Sequence, residues 1–273
     1  MATSGQSKST KRHDPTALGR MFKRRLKAGD FLAAGMVLEY LHPSLAKIYR
    51  HVGFDFIFVD KEHVFLDGSE ITDFVLCARD NKMPVISKIG ELNRSEVARL
   101  LESGMIGIQL PRTETREQLL ELAEYVKFPP LGSRAGAPCF GNVDYLWPAD
   151  SKAWLRNANA STVIVAHIET ALAYENAEEI MTTPHVDMVY VGPYDFSIAM
   201  GQPGEYDHPN VKKPMLKILK LCRKHQVPFG TTPSGPEAAQ DWIRRGCQFF
   251  LLVDELTLIH KGAREALDAC RIG

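Results

Sequence analysis

Acidic, basic and imidazole side chains stand directly after several apolar runs of this sequence. In chain order these residues are Asp60, Glu62 and His63, Lys88, His167 and Glu169, Asp195, and Asp254 and Glu255. Most of them, taken singly, are well explained as caps, because a polar side chain there accepts hydrogen bonds from the first amides of a helix. Taken together, they are a set of residues able to act as acids, bases and metal ligands.

Glu169 and Asp195 are the best candidates for a metal site. They stand 26 residues apart, each at the end of an apolar run, so their side chains converge if the two runs are neighbouring parallel strands. Two carboxylates that leave room for waters and a bidentate substrate are a coordination that Mg²⁺ or Mn²⁺ favours. The alternative interpretation is a pair of unrelated helix caps.

His63 is a candidate general base, because imidazole titrates near neutral pH and Asp60 or Glu62 could fix its tautomer. The alternative is a solvated histidine in a loop. His167 lies two residues before Glu169, and this spacing turns both side chains toward the same face of a strand. We expect His167 to be buried and hydrogen-bonded.

Two further segments could bind an anionic group. The loop 129–142, PPLGSRAGAPCFGN, is rich in glycine and proline and carries Arg134. It is either a backbone nest for an anion or an ordinary long loop. The residues 192–195, GPYD, could open a short helix, and the amides at its start, including those of Tyr194 and Asp195, would then face a substrate carboxylate.

The elements that must position these residues alternate along the chain. Eight runs are continuously apolar, which is typical of parallel strands covered on both faces. The predicted strands are 31–39, 54–60, 84–89, 106–110, 161–169, 186–192, 228–232 and 248–254. The predicted helices are 43–52, 69–80, 94–104, 115–126, 172–181, 211–225, 236–246 and 255–270.

This alternation predicts an α/β fold, a (β/α)8 or TIM barrel. Eight such units in about 250 residues are usual for that fold, and its reactive residues lie at the carboxyl ends of the strands. A doubly wound sheet is the alternative, but the sequence has neither a G-x-G-x-x-G nor a G-x-x-x-x-G-K-[ST] motif. We expect one barrel domain over 17–273, after a disordered basic tail at 1–16.

Composition sets outer limits on the function. The 273 residues are 45% hydrophobic and 24% charged, with 33 basic and 33 acidic side chains, so no global field indicates a nucleic-acid partner. No apolar run approaches the roughly 18–20 residues of a membrane span, and five cysteines without CxxC spacing predict neither disulfides nor a zinc site. We expect a cytoplasmic protein, with mitochondrial targeting by the basic amino terminus as the alternative.

Several motifs resemble the HpcH/HpaI family of metal-dependent, class II 2-oxo acid aldolases. They are FKRRLKAGDFLAAG near the start, GFDFIFVDKEH at 53–63, FPPLGSRAGAP at 128–138, HIET at 167–170, and VGPYDFSIAMG with a later HP within 191–209. They occur in the family's order and at similar spacing, from about Met21 to Ala269. The resemblance implies a pyruvate/phosphoenolpyruvate-type barrel whose last helix is exchanged between subunits, in a hexamer or trimer of dimers.

The resemblance also implies roles for individual residues. Glu169 and Asp195 would bind Mg²⁺, or Mn²⁺ or Co²⁺ in its place. Asp60 and His63 would form an acid/base dyad that acts on a water molecule. The amides of Tyr194 and Asp195 would hold the pyruvate carboxylate.

Three positions depart from the family pattern. Lys88 stands where the family has an arginine that supports the oxo group and the enolate, unless one inserted residue moves that position to Ser87. Lysine keeps the charge but lacks the bidentate fork of arginine. His167 replaces the family's glutamine, and Ala135 replaces the glycine after the loop arginine. These changes put the substrate pocket, rather than the metal site, in question.

The sequence thus predicts a divalent-metal-dependent carbon–carbon lyase that forms or uses a pyruvate enolate, cleaving or condensing 4-hydroxy-2-oxo acids. One alternative is an oxaloacetate-decarboxylating synthase that adds the enolate to a bulky acceptor such as a 2-pyrone, as a fungal synthase of the same group does. A second alternative is a non-catalytic barrel that serves as a binding subunit. The expected partners are a small 2-oxo acid and further copies of this chain, and Glu102 would reach the site of an adjacent copy.

Overall fold

Eight parallel strands close into a barrel in this computed structural model, which describes residues 14–271. Each strand pairs with the next along the chain, and β8 returns to pair with β1. The strands are β1 (Leu32–Val37), β2 (Phe56–Asp60), β3 (Val85–Lys88), β4 (Gly107–Leu110), β5 (Val163–Ile168), β6 (Met188–Val191), β7 (Phe229–Thr231) and β8 (Phe249–Asp254). The predicted (β/α)8 barrel and all eight predicted strands are confirmed.

Helices surround the barrel and follow each strand. They are α1 (Ala17–Ala28), α2 (Pro43–Val52), α3 (Gly68–Asp80), α4 (Arg94–Ser103), α5 (Arg116–Val126), α6 (Ser151–Ser161), α7 (Ala171–Glu175), α8 (Ala177–Met181), α9 (Pro193–Ala199), α10 (Pro209–His225), α11 (Pro236–Arg245) and α12 (Glu255–Cys270). A 3-10 turn, Gly141–Val143, lies in the long loop before α6. No helix in the described range is both long and apolar enough to cross a membrane.

The predicted helices are present. The structure has two further helices and divides one predicted helix into two. Helix α1 and helix α6 were not predicted, and the predicted helix 172–181 is two short helices, α7 and α8. Residues 1–13 of the predicted tail lie outside the described range. Asp14–Thr16, its last three residues, lead into α1, and the Asp14 carboxylate accepts hydrogen bonds from Thr16 and from the Arg20 side chain.

Helix α1 closes the amino-terminal end of the barrel. Its buried face carries Phe22 and Leu26, one turn apart, and the Phe22 ring packs edge-on against Phe56 with ring centroids 5.2 Å apart. Gly19 lies so close to α6 that a Cβ there would stand 2.4 Å from the Ser161 carbonyl oxygen. Glycine is required at this crossing because any side chain would separate the two helices.

The core has two layers, one inside the barrel and one between the barrel and its helices. Side chains alternate between the layers along each strand. On β2, Phe56 and Phe58 pack inside, whereas Ile57 and Val59 pack against the helices. The inside layer ends in polar residues at the carboxyl ends of the strands. Because side chains alternate along each strand, the inward-facing polar residues form a ring at one mouth of the barrel.

Candidate active site

A cavity of about 230 Å³ opens at the carboxyl end of the barrel. Its polar lining residues are Asp60, Lys88, Gln109, His167, Asp195 and Thr232. Apolar side chains, among them Phe58, Tyr190 and Leu251, form its floor and wall. Inward-facing polar groups at this end of a barrel are the usual composition of an active site in this fold.

Lys88 projects into the cavity and is held by two carboxylates. Its ammonium nitrogen lies 2.7 Å from Asp60 Oδ2 and 2.9 Å from Glu62 Oε2, and the side chain is almost fully buried. Burial alone would lower the pKa of Lys88, but the two carboxylates outweigh it and the pKa is raised. Lys88 is therefore an ammonium at neutral pH, which makes it a hydrogen-bond donor rather than a nucleophilic amine.

The strand register decides between Lys88 and Ser87 as the inward residue. Lys88 is the neighbour of Asp60 across β2 and β3, while Ser87 is the neighbour of Val59. Ser87 Oγ bonds the Val59 carbonyl oxygen at 3.2 Å and is fully buried away from the cavity. Lys88 is thus the inward-facing residue of the two, and its equivalence to the family's arginine stays a prediction.

His63 lies on the loop after β2, and its ring is largely exposed. The backbone amides of Glu62 and His63 donate to Asp60 Oδ1 at 2.9 and 3.1 Å. The ring Nε2 faces Glu62 Oε2 at 3.4 Å, with 60% of the side chain accessible. The expected Asp60–His63 pairing is thus made through the backbone, and the carboxylate beside the imidazole is that of Glu62.

Glu169 is buried at the end of β5, with only 4% of its surface exposed. Its Oε1 accepts the Arg112 backbone amide at 2.6 Å, and its Oε2 lies 3.0 Å from His167 Nε2. Burial would raise the pKa of Glu169, but the nearby His167, the Arg112 amide and the charge of Lys88 together lower it. Glu169 is consequently a carboxylate anion inside the protein.

Asp195 stands in the first turn of α9, exposed at the mouth of the cavity. Within residues 14–271 it forms no ion pair. The negative charges of Glu169, Asp60 and Asp195 all act on the Tyr190 hydroxyl, whose pKa is raised first by burial and then by these charges. The three carboxylates therefore contribute negative charge to the same end of the barrel interior.

His167 is buried and hydrogen-bonded, as its position in the apolar run predicted. Its Nδ1 lies 3.2 Å from the side-chain nitrogen of Gln109, and its ring packs on Tyr190 with centroids 4.9 Å apart. Its Nε2 faces Glu169 but forms no hydrogen bond of standard geometry, although the two atoms are close. A Cβ on Gly192 would stand 2.4 Å from this nitrogen, so the ring lies directly against the turn that leads to Asp195.

Gln109 was not among the predicted site residues, although it lines the cavity and is 1% exposed. The sequence contained a signal for it. In GIQL, which forms β4, glutamine interrupts an apolar strand at an inward position, in register with Lys88 of β3. A polar side chain at such a position needs a buried partner, and His167 supplies it.

Glu102 and Arg134 lie near each other, away from this cavity. The Arg134 guanidinium packs over the Phe128 ring, 4.6 Å from its centroid, and Nε is buried without a partner. Burial lowers the pKa of Arg134 to about 10 despite the charge of Glu102. Glu102 lines a separate hollow of about 390 Å³ beside α3 and α4, and burial raises its pKa. Neither side chain lines the cavity of its own chain.

Known proteins resemble this chain in sequence and in fold. A model of the family described as HpcH/HpaI aldolase/citrate lyase matches residues 34–260. A 2-dehydro-3,6-dideoxy-6-sulfogluconate aldolase from Pseudomonas putida is 27% identical over 229 residues, covering 84% of this chain and 88% of the relative.

Solved structures share the whole barrel. An HpcH/HpaI aldolase from Desulfitobacterium hafniense superposes with a TM-score of 0.87 at 27% identity, over 92% of this chain and 96% of that one. Macrophomate synthase superposes with a TM-score of 0.77 at 19% identity, over 92% and 90% of the two chains. The second likeness shows a common fold, and a closer relationship to that synthase stays a prediction. With its motifs, barrel and family match in agreement, this chain belongs to the HpcH/HpaI aldolase/citrate lyase family.

Proposed function

We propose that this chain is a divalent-metal-dependent carbon–carbon lyase that forms a pyruvate enolate while cleaving or condensing 4-hydroxy-2-oxo acids. Family membership and a relative named as an aldolase support the lyase class. One observation supports the dependence of this lyase on a divalent metal. Two carboxylates follow the neighbouring strands β5 and β6: Glu169 is buried with a lowered pKa, and Asp195 is exposed at the cavity and without an ion pair in the described range.

The donor set fits a hard divalent cation. Within the described part of the chain, no three His, Cys, Asp or Glu side chains form a metal cluster. Glu169 and Asp195 would therefore leave several coordination positions to waters and to a bidentate 2-oxo acid, as suits Mg²⁺, Mn²⁺ or Co²⁺. A bound divalent cation would supply Lewis-acid stabilisation of the enolate charge.

Lys88 adds a fixed positive charge to the same cavity. Its ammonium is oriented by Asp60 and Glu62 at 2.7 and 2.9 Å, so its remaining proton is free to bond the oxo oxygen of a substrate. Donors held in place before the reaction stabilise developing negative charge without the cost of reorientation. Because the same two carboxylates raise the pKa of Lys88, an imine mechanism through this amine is disfavoured.

His63 is the proposed acid/base group, acting through a water molecule. Its exposed ring lies on the loop that Asp60 holds through two backbone amides. Asp60 would thus place the loop, while Glu62 orients the imidazole. Tyr194 and Asp195 begin α9 at the rim, where their amides would face the carboxylate of the 2-oxo acid.

The size of the cavity favours a small acceptor. At about 230 Å³, it lies below the usual range of about 300–1,000 Å³ for ligand pockets. A pyruvate unit with a short aldehyde suits this volume better than a 2-pyrone does. Glu102 would reach the pocket of an adjacent copy, as the family resemblance implies, whereas Arg134 is buried over the Phe128 ring and does not line the cavity of its own chain.

Retro-aldol cleavage tests the proposal directly. The chelated protein is given 4-hydroxy-2-oxopentanoate, with and without Mg²⁺, Mn²⁺ or Co²⁺, and released pyruvate is measured by coupled reduction to lactate. We expect pyruvate release that requires metal. Oxaloacetate is assayed in parallel. Decarboxylation without any aldol cleavage would favour the synthase alternative, and inactivity on both substrates with every metal would favour a non-catalytic barrel.

A further inference from the structure

We propose that Gln109 is a positioning residue that acts through His167 on Glu169. The inference deepens the proposed function, because it assumes that Glu169 binds the cation. Three buried side chains form a chain across the barrel interior: the Gln109 amide, the His167 ring and the Glu169 carboxylate. Their exposed fractions are 1%, 4% and 4%, so water does not provide alternative partners.

The amide of Gln109 selects the tautomer of His167. Its Nε2 donates to the ring Nδ1 at 3.2 Å. A neutral imidazole with an acceptor at Nδ1 carries its proton on Nε2. That proton lies on the side of Glu169, whose Oε2 is 3.0 Å away. The opposite tautomer would place a lone pair of Nε2 against the carboxylate and so repel it.

Packing holds the His167 ring beside Glu169. One face of His167 rests on Tyr190, and Nε2 lies against Gly192, where a Cβ would approach to 2.4 Å. Tyr190 and the Gly192 backbone thus border the ring on two sides. With Oε1 fixed by the Arg112 amide at 2.6 Å, the carboxylate keeps a single orientation beside the cavity. Partners that orient a ligating carboxylate in this way typically raise metal affinity about 10–100-fold.

Two sequence features occur together in this arrangement. His167 stands where the family motif has a glutamine, and Gln109 interrupts the apolar strand β4 directly beside it. An imidazole in the barrel interior needs a partner at each nitrogen, whereas an amide in its place would need no partner at the Nδ1 position. We infer that Gln109 is required because position 167 is a histidine.

Nitrogen NMR of the ring tests the inference without metal or substrate. In ¹⁵N-histidine-labelled, metal-free protein, the two ring nitrogens of a neutral histidine differ in chemical shift according to which one carries the proton. His167 is assigned by the signal lost in His167→Gln. We expect the Nε2–H tautomer in the unsubstituted protein and a loss of that preference in Gln109→Leu. An Nδ1–H tautomer, or the same tautomer with and without Gln109, overturns the inference.

A double-mutant cycle tests the step from Gln109 to Glu169. Mn²⁺ affinity is measured by electron paramagnetic resonance, without substrate. We expect Gln109→Leu to weaken Mn²⁺ binding about 10–100-fold and to have no further effect in a His167→Gln background. Gln248→Leu, which loses a similar hydrogen bond to the Leu26 carbonyl at the opposite end of the barrel, should leave the affinity unchanged. Equal losses in both backgrounds overturn the inference.

The two proposals fail differently. If the unsubstituted protein binds no Mn²⁺, the proposed function fails, while the ring tautomer still decides whether Gln109 positions His167. If Mn²⁺ binds tightly and Gln109→Leu leaves its affinity unchanged, the metal site stands and the role of Gln109 is wrong.

Discussion

At the scale of single residues, the feature that most constrains the chemistry is the charge balance around Lys88. One buried ammonium is shared by the carboxylates of Asp60 and Glu62. A substrate oxygen that approaches Lys88 therefore meets a donor whose proton is already oriented. The same arrangement makes Lys88 part of the stability of the barrel, since removing one member of a buried ion pair leaves the others uncompensated.

Substituting Lys88 tests its contributions to the stability of the barrel and to the rate of the reaction. We expect Lys88→Met to lower the free energy of unfolding by roughly 3–5 kcal/mol, because the buried Asp60 and the partly exposed Glu62 lose their counter-ion. It should also reduce kcat for pyruvate release by about 10²–10³-fold, as loss of an oxyanion donor does. Urea unfolding and the coupled assay measure the two effects.

Two control variants are compared with Lys88→Met. Lys88→Arg keeps the charge and the family's usual residue, so it should stay within about tenfold of the original rate. Lys23→Met breaks a comparable ion pair with Asp187, 2.7 Å long, at the far end of the barrel, and should not change the rate. If Lys88→Met retained full activity, Lys88 would have no part in the reaction.

Gly192 provides a second residue-scale prediction. An alanine Cβ would stand 2.4 Å from His167 Nε2 and 3.4 Å from Glu169 Oε2, so Gly192→Ala must displace the ring or the turn. We expect Mn²⁺ affinity to fall about 10–100-fold in a titration followed by electron paramagnetic resonance. Gly68→Ala, at a position with no atom near its Cβ, is the matched control. Equal affinities for the two variants would contradict this description of the site.

Some residues of the site could be placed from the sequence and others could not, because different features determine their positions. Glu169, Asp195 and Lys88 could be predicted because strand ends and motif order place them. The ring contact of His63 could not, because the loop 61–67 has no periodicity and its hydrogen bonds to Asp60 run through the backbone. Gln109 was missed because its partner His167 lies on the next strand, 58 residues away.

At the scale of elements, Lys127 ties helix α5 to the junction between α6 and β5. Its buried ammonium donates to the carbonyl oxygens of Asn159 and Thr162 and to Thr162 Oγ1 at 2.8–2.9 Å. Burial first, and then the charges of Lys23 and Arg134, lower its pKa from 10.5 to about 8. The junction is thus held by a cation that folding makes easier to deprotonate.

This lowered pKa predicts a pH dependence of stability. Between about pH 8 and pH 10.5 the unfolded chain binds the Lys127 proton more tightly than the folded chain does, so stability increases as pH rises through that window. The gain is at most roughly 3 kcal/mol. Lys88, whose pKa is raised above 10.5, adds an opposite slope only at the upper end of this window, where the unfolded chain begins to release that proton.

Urea unfolding from pH 7.5 to pH 10 measures the effect as a difference between two proteins. Other groups titrate identically in the unsubstituted protein and in Lys127→Met, so subtracting their curves isolates Lys127. We expect the difference in unfolding free energy to grow in favour of the unsubstituted protein as pH rises. A difference that is flat with pH would show that Lys127 is not shifted.

Strands and helices could be predicted from the sequence where apolar runs are long. They could not be predicted where tertiary contacts determine whether a segment is helical. The strands were predictable because a barrel buries both faces of each strand. Helix α1 was missed because its many basic residues mask a narrow apolar stripe, Phe22 and Leu26, that contacts the barrel floor. Helix α6 was missed because its buried face, around Trp154 and Ala158, packs on a small separate cluster with Phe128 rather than on the main core.

At the scale of the whole molecule, helix α12 lacks the contacts that the other long helices have. Only its first residue, Glu255, is buried, where its carboxylate accepts the backbone amides of Leu38, Glu39 and Tyr40. From position 257 to position 271 every residue is exposed, including Leu258 and Ile259. An amphipathic helix anchored at one end and otherwise uncovered suits exchange with a neighbouring copy, as the family resemblance implies.

Charge on that helix should break the assembly. We expect the unsubstituted protein to form a hexamer or trimer of dimers, and Leu258→Glu combined with Ile259→Glu to reduce its mass, because both substitutions place charge in a covered apolar interface. Light scattering after size exclusion measures the masses. Lys213→Glu, on exposed α10 surface, serves as the control. A monomeric unsubstituted protein would show that α12 is not exchanged.

We expect the cavity at the barrel mouth to form a pyruvate enolate with the help of a cation held by Glu169 and Asp195. Exchange of pyruvate methyl protons for deuterium in D₂O, followed by proton NMR, tests it most directly because it needs no acceptor. We predict exchange that disappears on chelation, returns with Mg²⁺, Mn²⁺ or Co²⁺, and is lost in Glu169→Gln. Glu178→Gln, on the surface beside Lys224, should exchange normally. Exchange that persists without metal or in Glu169→Gln, or no exchange with any metal, would contradict the claim.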